Sequence, residues 1–307
     1  MKGKRRPQRS SAASLDLIVV SMANNRSALV LGGGGVTGIA WETGLLAGLA
    51  EAGVDLTSAD LVVGTSAGSV VGAQIRSDVP LEDLYATQLA DATGEIAASI
   101  GAGVLVRFIV ASLWPGDARS GRARLGHAAL KARTVPESER REVIRRRLPK
   151  ASWPERQLLI TAVDAETGES RVFDRDSGVP LADAVAASCA VPLVWPPITI
   201  DGRRYIDGGV RSIANADLAV DCERVVVLAP VNTALRPSGR ISSQLASLGP
   251  RVKSVVISPD AAARKAIGSN TLDPAHRAGA ARAGRAQAAA AAQEVRDLWA
   301  VGGQVGG

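Results

Sequence analysis

A chain of 307 residues exceeds the usual single-domain size, but one large α/β domain reaches it, and 46% hydrophobic residues supply a sizeable core of mainly Ala, Val, Leu and Ile. Aromatic residues make up only 3%, which argues against a base-stacking nucleic-acid surface; the net charge of +6, carried largely by Arg, reads as soluble charge more readily than as a footprint for nucleic acid or anionic lipid. Cys189 and Cys222 have no zinc-type spacing and suit a reducing cytosol, and His127 and His276 are too isolated for a metal site, so neither metal nor cofactor is expected.

In chain order, residues 1–25 carry concentrated positive charge and are expected to form a disordered basic extension. The apolar run Leu15–Val20 contains Asp16 and is too short for a secretory signal, and the expected location is the cytoplasm, with peripheral contact at the membrane as an extension of it. Met22 stands five residues before the first expected strand, so a chain starting there is expected to keep the domain, taken as residues 26–300. A first strand is expected at Ser27–Leu31, then glycines, then a helix over Thr37–Ala52 whose Ile39, Leu45, Leu46 and Leu49 fall at helical spacings and which Gly53 closes. A second strand, Asp60–Val63, runs into Gly64, and a small-residue helix follows from Ser66. These are two parallel βα units.

Helices are expected next at Leu81–Ala92, Glu95–Leu113, Arg119–Arg133 and Glu137–Leu148. The apolar stretch Ile96–Trp114 is interrupted by Arg107, so it reads as a core helix or as a lid or membrane-surface contact, not as a span. The run Arg140–Arg147 reads first as a solvated helix face and second as a contact for anionic headgroups. Strands follow at Gln157–Val163 and Ser170–Phe173, a helix at Leu181–Ser188, the Pro-rich PLVWPP, and strands at Arg203–Ile206, Glu223–Ala229 and Val252–Ser258. The chain closes on an Ala/Arg helix over about 274–300 with no core-forming aromatic before Trp299. The expected fold is one α/β domain, a central mostly parallel sheet flanked by helices.

Three glycine-containing motifs carry the chemistry. Gly64-Thr65-Ser66-Ala67-Gly68 is a G-x-S-x-G turn between a strand and a helix, which strains the backbone at Ser66 and lifts its hydroxyl above the sheet; the bland reading is a tight turn with Ser66 as an ordinary N-cap. Gly32–Gly38 (GGGGVTG) follows the first strand and can present backbone N–H groups to an anion. Its rival reading is a dinucleotide loop, since Gly33, Gly35 and Gly38 fit G-x-G-x-x-G. That reading expects an acidic residue at the end of the second strand, where the chain has Val62-Val63-Gly64, so an oxyanion hole facing a nucleophile explains the loop better. The third motif, Ile206-Asp207-Gly208-Gly209, taken alone is most simply a type I′ or similar turn.

Together these motifs resemble the patatin-like phospholipase family over about Ser27–Leu218, helped by VAASCAVPLVWPP and DGRRYIDGGVRSIANADLA. The resemblance implies a patatin-like fold and an acyl hydrolase with Ser66 as nucleophile and Asp207 as base. It also implies an oxyanion hole from Gly33, Gly34, Gly35, Val36 and Gly38, with Gly64, Gly68, Gly208 and Gly209 supporting the turns. Its implied partners are an acyl lipid or phospholipid substrate and a peripheral membrane contact, with no nucleic acid. One departure is Thr37, where the family's glycine loop usually has arginine; with a charge at 37 taken as exposed, Thr37→Arg is expected to change neutral-ester turnover only mildly. A Ser–Asp dyad accounts for the poverty in histidine: Asp207 itself takes the serine proton, helped by burial that raises its pKa. The alternatives are an α/β-hydrolase-type esterase in which His276 follows the aspartate in sequence, and a non-catalytic lipid- or nucleotide-binding protein.

Overall fold

The computed structural model describes residues 25–91, 98, 117–234 and 236–300, so the basic extension, all but its last residue, and the helix expected at Glu95–Leu113, all but residue 98, lie outside the described residues. The first βα unit is β1 (Ser27–Leu31) followed by α1 (Gly35–Glu51), and the second is β2 (Leu61–Gly64) followed by α2 (Ala67–Ile75). Helices α3 (Leu81–Leu89), α4 (Ala118–Leu130) and α5 (Glu137–Arg147) precede β3 (Gln157–Asp164) and β4 (Ser170–Phe173). Then come α6 (Leu181–Ser188), β5 (Ile198–Ile200), β6 (Arg203–Asp207), β7 (Arg224–Leu228), α7 (Ile241–Ser247), β8 (Lys253–Ile257), α8 (Ala261–Ile267) and α9 (Arg277–Ala300). Strand β5 and helices α7 and α8 have no counterpart in the sequence reading.

All eight strands join one sheet, bonded in the order β5-β6-β3-β2-β1-β7-β8 with β4 on β3. The run β3-β2-β1-β7-β8 is parallel, whereas β4 and β6 pair antiparallel with β3 and β5 with β6, so the sheet is mixed and mostly parallel. Both faces are covered, which is why β1, β2 and β7 read as continuous apolar runs without alternation. Leu29 and Leu31 face one core layer with Trp41, Leu45, Val70 and Val185, while Ala28 and Val30 face the other with Val225, Val227 and Ile241. The two-residue period of a strand thus feeds two cores at once.

The pairing register positions the site. Leu31 is level with Gly64 of β2 and Leu228 of β7, so the glycine loop after β1 and the turn after β2 leave the same rim of the sheet. On β3, β4 pairs over Ile160–Val163, β2 ends opposite Ile160 and β6 ends opposite Ala162. Because β4 overlaps both of the others, β2 and β6 must share the opposite edge of β3. They run in opposite directions, so their C-terminal ends meet there, bringing Ser66 and Asp207 together from distant parts of the chain.

Candidate active site

Ser66 sits at φ 53° and ψ −113°, a conformation that a side chain rarely adopts. It occupies the N-cap position of α2, yet its side chain makes no capping hydrogen bond, so the ordinary-cap reading fails. The turn is held by its backbone instead. The Ser66 N–H donates to Ser188 Oγ at 2.9 Å, and its carbonyl accepts from Ser69 Oγ at 2.7 Å and from Cys189 Sγ at 3.3 Å. The flanking glycines are steric requirements: a Cβ on Gly68 would lie 2.1 Å from the Leu31 carbonyl oxygen, and one on Gly64 2.6 Å from Ser69 Cα.

Asp207 ends β6 and is buried. It does not form the type I′ turn that its sequence suggests, having φ −49° and ψ 133°. That turn belongs to the other Asp-Gly pair, Asp201-Gly202, where both residues have positive φ and join β5 to β6 as a hairpin. Asp207 Oδ1 accepts from the Gly209 N–H at 2.7 Å, whereas Oδ2 is buried without a hydrogen-bond partner among the described residues. Burial pushes the carboxyl up to about 6, against the downward pull of the Ser66 hydroxyl, the Gly209 N–H and the positive charge of Arg140. A carboxylate in this state is a stronger base than an exposed aspartate and has an oxygen available for a proton. Gly208 gives the turn room, since a Cβ there would meet Thr161 Oγ1 at 2.2 Å.

In the glycine loop the N–H groups sort into two sets. Those of Gly33 and Gly38 donate to the carbonyls of Ile213 and Gly34 at 2.8 Å each, so these two expected oxyanion donors are already engaged in the fold. The N–H groups of Gly34, Gly35 and Val36 have no acceptor among the described backbone hydrogen bonds. Gly35 and Val36 line one cavity with Ser66 and Ala67. Gly35 has φ +62°, which glycine adopts without cost, and the loop is pinned from outside by the Thr37 N–H and Oγ1, both donating to the Thr271 carbonyl at 3.1 and 3.2 Å. Thr37 is fully buried. The exposure taken for a charge at position 37 therefore does not hold for the threonine side chain.

Below the dyad, Asn215 stands in left-handed conformation at φ 54° and its Nδ2 donates to Thr65 Oγ1 (3.0 Å), Thr161 Oγ1 (3.3 Å) and the Ser212 carbonyl (2.8 Å). This amide ties the turn after β2 and the middle of β3 to the segment following Asp207. The other surprise is α5. Arg140 is not on a solvated face: it is 3% exposed, with its guanidinium 4.1 Å from the centroid of the Trp195 ring. Arg140, Arg147, Trp195 and Leu272 share with Ser66 a cavity of about 20 Å³. Sequence reading missed Asn215 because its role depends on its left-handed backbone, and missed Arg140 because the surrounding arginines hide one inward residue.

The histidines are elsewhere. His276 Nδ1 is 3.0 Å from the Ala266 carbonyl oxygen and its ring packs on Gly268, while His127 is exposed on α4. The groups acting on the Asp207 carboxyl are Ser66, Gly209 and Arg140, with no histidine among them. Among the described residues no group of three His, Cys, Asp or Glu side chains could hold a metal, and no helix is long and apolar enough to cross a membrane.

A family model described as patatin-like phospholipase matches residues 29–220, well over half of the chain. Among solved structures the chain is similar to VipD from Legionella pneumophila, with 14% identity, a TM-score of 0.45, and coverage of 90% of this chain and 67% of that one. It is also similar to the type III effector protein ExoU, with 16% identity, a TM-score of 0.39, and coverage of 88% of this chain and 53% of ExoU. The chain thus spans about two thirds of the length of the first and about half of the second.

Proposed function

This chain belongs to the patatin-like phospholipase family, and we propose that it cleaves carboxylic esters of acyl lipids through a Ser66 acyl-enzyme with Asp207 as the general base. One observation carries the reading: a buried aspartate with an unbonded oxygen and a pKa pushed up to about 6 acts on the hydroxyl of a serine that is strained and does not cap its helix. In the first half-reaction Asp207 takes the hydroxyl proton as Ser66 Oγ attacks the ester carbonyl. The negative oxygen that develops is held by the N–H groups of Gly34, Gly35 and Val36 at the start of α1, where the helix dipole also favours negative charge. Asp207 returns its proton to the departing alcohol as the carbon–oxygen bond breaks. In the second half-reaction Asp207 takes a proton from water, the resulting hydroxide attacks the acyl carbon, and Ser66 leaves with that proton.

The substrate in this reading is a neutral acyl ester or a phospholipid, reached by peripheral contact with a lipid surface. A fluorophosphonate probe tests the nucleophile, because it labels only an activated serine. Wild type is expected to be labelled at Ser66, and Ser66→Ala and Asp207→Asn each to lose labelling and ester turnover, the double variant being little worse than either. His276→Ala is expected to keep both. A folded His276→Ala protein without turnover would overturn the dyad.

A further inference from the structure

We infer that Ile213 limits the length of acyl chain that Ser66 accepts, by standing between the dyad and a groove able to hold the chain; this rests on the hydrolase reading above. The side chain reaches both members of the dyad. A Cβ placed on Gly33 would lie 2.8 Å from Ile213 Cδ1 and 3.6 Å from Ser66 Cβ, so one point is in contact with both side chains. A Cβ placed on Gly209 would lie 3.7 Å from the same methyl and 2.9 Å from Asp207 Oδ1. The backbone behind it is fixed. The Ile213 carbonyl accepts from the Gly33 N–H at 2.8 Å, and the preceding Ser212 Oγ donates to Gln244 Oε1 at 2.9 Å while accepting from the Asn215 N–H at 3.1 Å.

Ile213 also lines a second cavity, of about 680 Å³, a volume within the range of small-molecule sites. This cavity has a direction. Val252, Ser254 and Val256 are alternate residues along β8 and so present one face, and Ile241 and Leu245 are one turn apart on α7. The groove between them runs from Ile213, at the rim where the glycine loop leaves the sheet, to Gly249 before β8 begins. Its polar residues Asn232, Thr233 and Ser242 are exposed, whereas Ile241, Leu245 and Val252 are buried or half-buried beneath them. Val256 is 40% exposed and leaves apolar surface uncovered in the groove. An apolar bed with a polar margin suits a hydrocarbon chain. The cavity that Ser66 shares with Gly35 and Val36 is about 20 Å³, room for a carbonyl or a water but not for such a chain. The tail of an acyl group on Ser66 therefore leaves toward Ile213, and the Cδ1 methyl stands in its path. This narrows the substrate to esters of shorter acyl chains.

The experiment reads kcat/KM for p-nitrophenyl butanoate and p-nitrophenyl dodecanoate. Wild type is expected to favour the butanoate. Ile213→Val removes the Cδ1 methyl alone and keeps the branched stem, so the fold is retained; it should raise the ratio of dodecanoate to butanoate turnover about tenfold, the effect of one methylene in a hydrophobic pocket. Ile213→Ala should raise the ratio further. Adding Val256→Trp to Ile213→Val narrows the groove and should return the ratio to that of wild type. A wild type that favours the dodecanoate overturns the limit while leaving the hydrolase intact. So does an Ile213→Val protein with an unchanged ratio, or with an equal fall on both esters, since the residue would then only support the glycine loop. A gain that Val256→Trp fails to cancel overturns the groove as the place of the chain. A wild-type protein that turns over neither ester and escapes the fluorophosphonate removes the hydrolase reading itself.

Discussion

Burying the Asp207 carboxyl costs stability at the pH where the base has to be ionised. Its pKa in the fold is about 6, against about 3.9 for a free aspartate, so the folded state holds the proton more tightly than the unfolded chain. The sign follows: stability is unaffected below about pH 4, falls as pH rises between about 4 and 6, and above that carries the full penalty of about 3 kcal/mol. Asp207→Asn removes the charge and keeps the shape. It is expected to melt several degrees above wild type at pH 8 and level with it near pH 4, while being inactive; thermal melts at the two pH values decide this, and an Asn variant less stable at pH 8 would contradict it. For wild type, kcat/KM should rise with pH through about 6 as Asp207 becomes the carboxylate. The Arg140 charge pulls that pKa down, so Arg140→Gln should move the acid limb to higher pH. Reading the residues alone singled out both members of the proposed dyad, because their glycine neighbours are written in the sequence. It did not find what tunes them: Arg140 is one arginine among several, and only the packing of α5 against Trp195 shows which of them faces inward.

Between β1 and α1 the chain has to expose N–H groups while turning sharply, and Gly35 is where the two demands meet. It has φ +62°, and a Cβ there would lie 2.5 Å from the Thr271 carbonyl oxygen and 2.8 Å from Leu272. Gly53, just past the end of α1, shares the positive φ but has nothing within 4 Å. Gly53→Ala therefore isolates the backbone strain, about 1 kcal/mol, and should leave turnover alone. Gly35→Ala adds the collision and turns the oxyanion donors away, so it should lower kcat by about 10²–10³ as well as the melting temperature. Equal kinetics for the two variants would show that the loop is not the oxyanion hole. At this scale the strand–glycine–helix units were legible, since their apolar runs and helical spacings are long. Strand β5 was not: it is three residues long beside two prolines. Helices α7 and α8 are seven residues each, too short for a period to declare itself. The antiparallel course of β6, which delivers Asp207 to the end of β2, is a matter of register and has no local sequence signal.

Across the whole molecule, the candidate site draws on chain beyond the residues that the family model matches, 29–220. The Thr271 carbonyl pins the glycine loop, Leu272 lines the cavity with Ser66, and α9 follows directly and packs along α1. Sequence reading gave this last helix little part in the core, because alanine and glycine contribute little apolar area. Their contribution is closeness instead. Trp41 Nε1 donates to Gln287 Oε1 at 3.0 Å, and Arg285 pairs with Glu51 and Glu82 and lies over the Tyr85 ring at 4.5 Å. These contacts exist only because the two backbones nearly touch: a Cβ on Gly284 would lie 2.3 Å from the Trp41 carbonyl oxygen, and one on Gly44 2.0 Å from that of Ala281. Gly279 provides an internal control on the same helix, since the nearest atom to its added Cβ is 3.9 Å away. Replacing a helical glycine by alanine normally stabilises by about 0.5–1 kcal/mol. Gly279→Ala should show that gain. Gly284→Ala should show the reverse, a loss of about 1–3 kcal/mol as α9 is pushed off α1, together with reduced ester turnover because α1 begins at the oxyanion loop. Paired melts and kinetics of the two variants test this directly. If Gly284→Ala is as stable and as active as Gly279→Ala, the close helix contact does not hold the loop in place, and the C-terminal helix covers the domain without shaping its site.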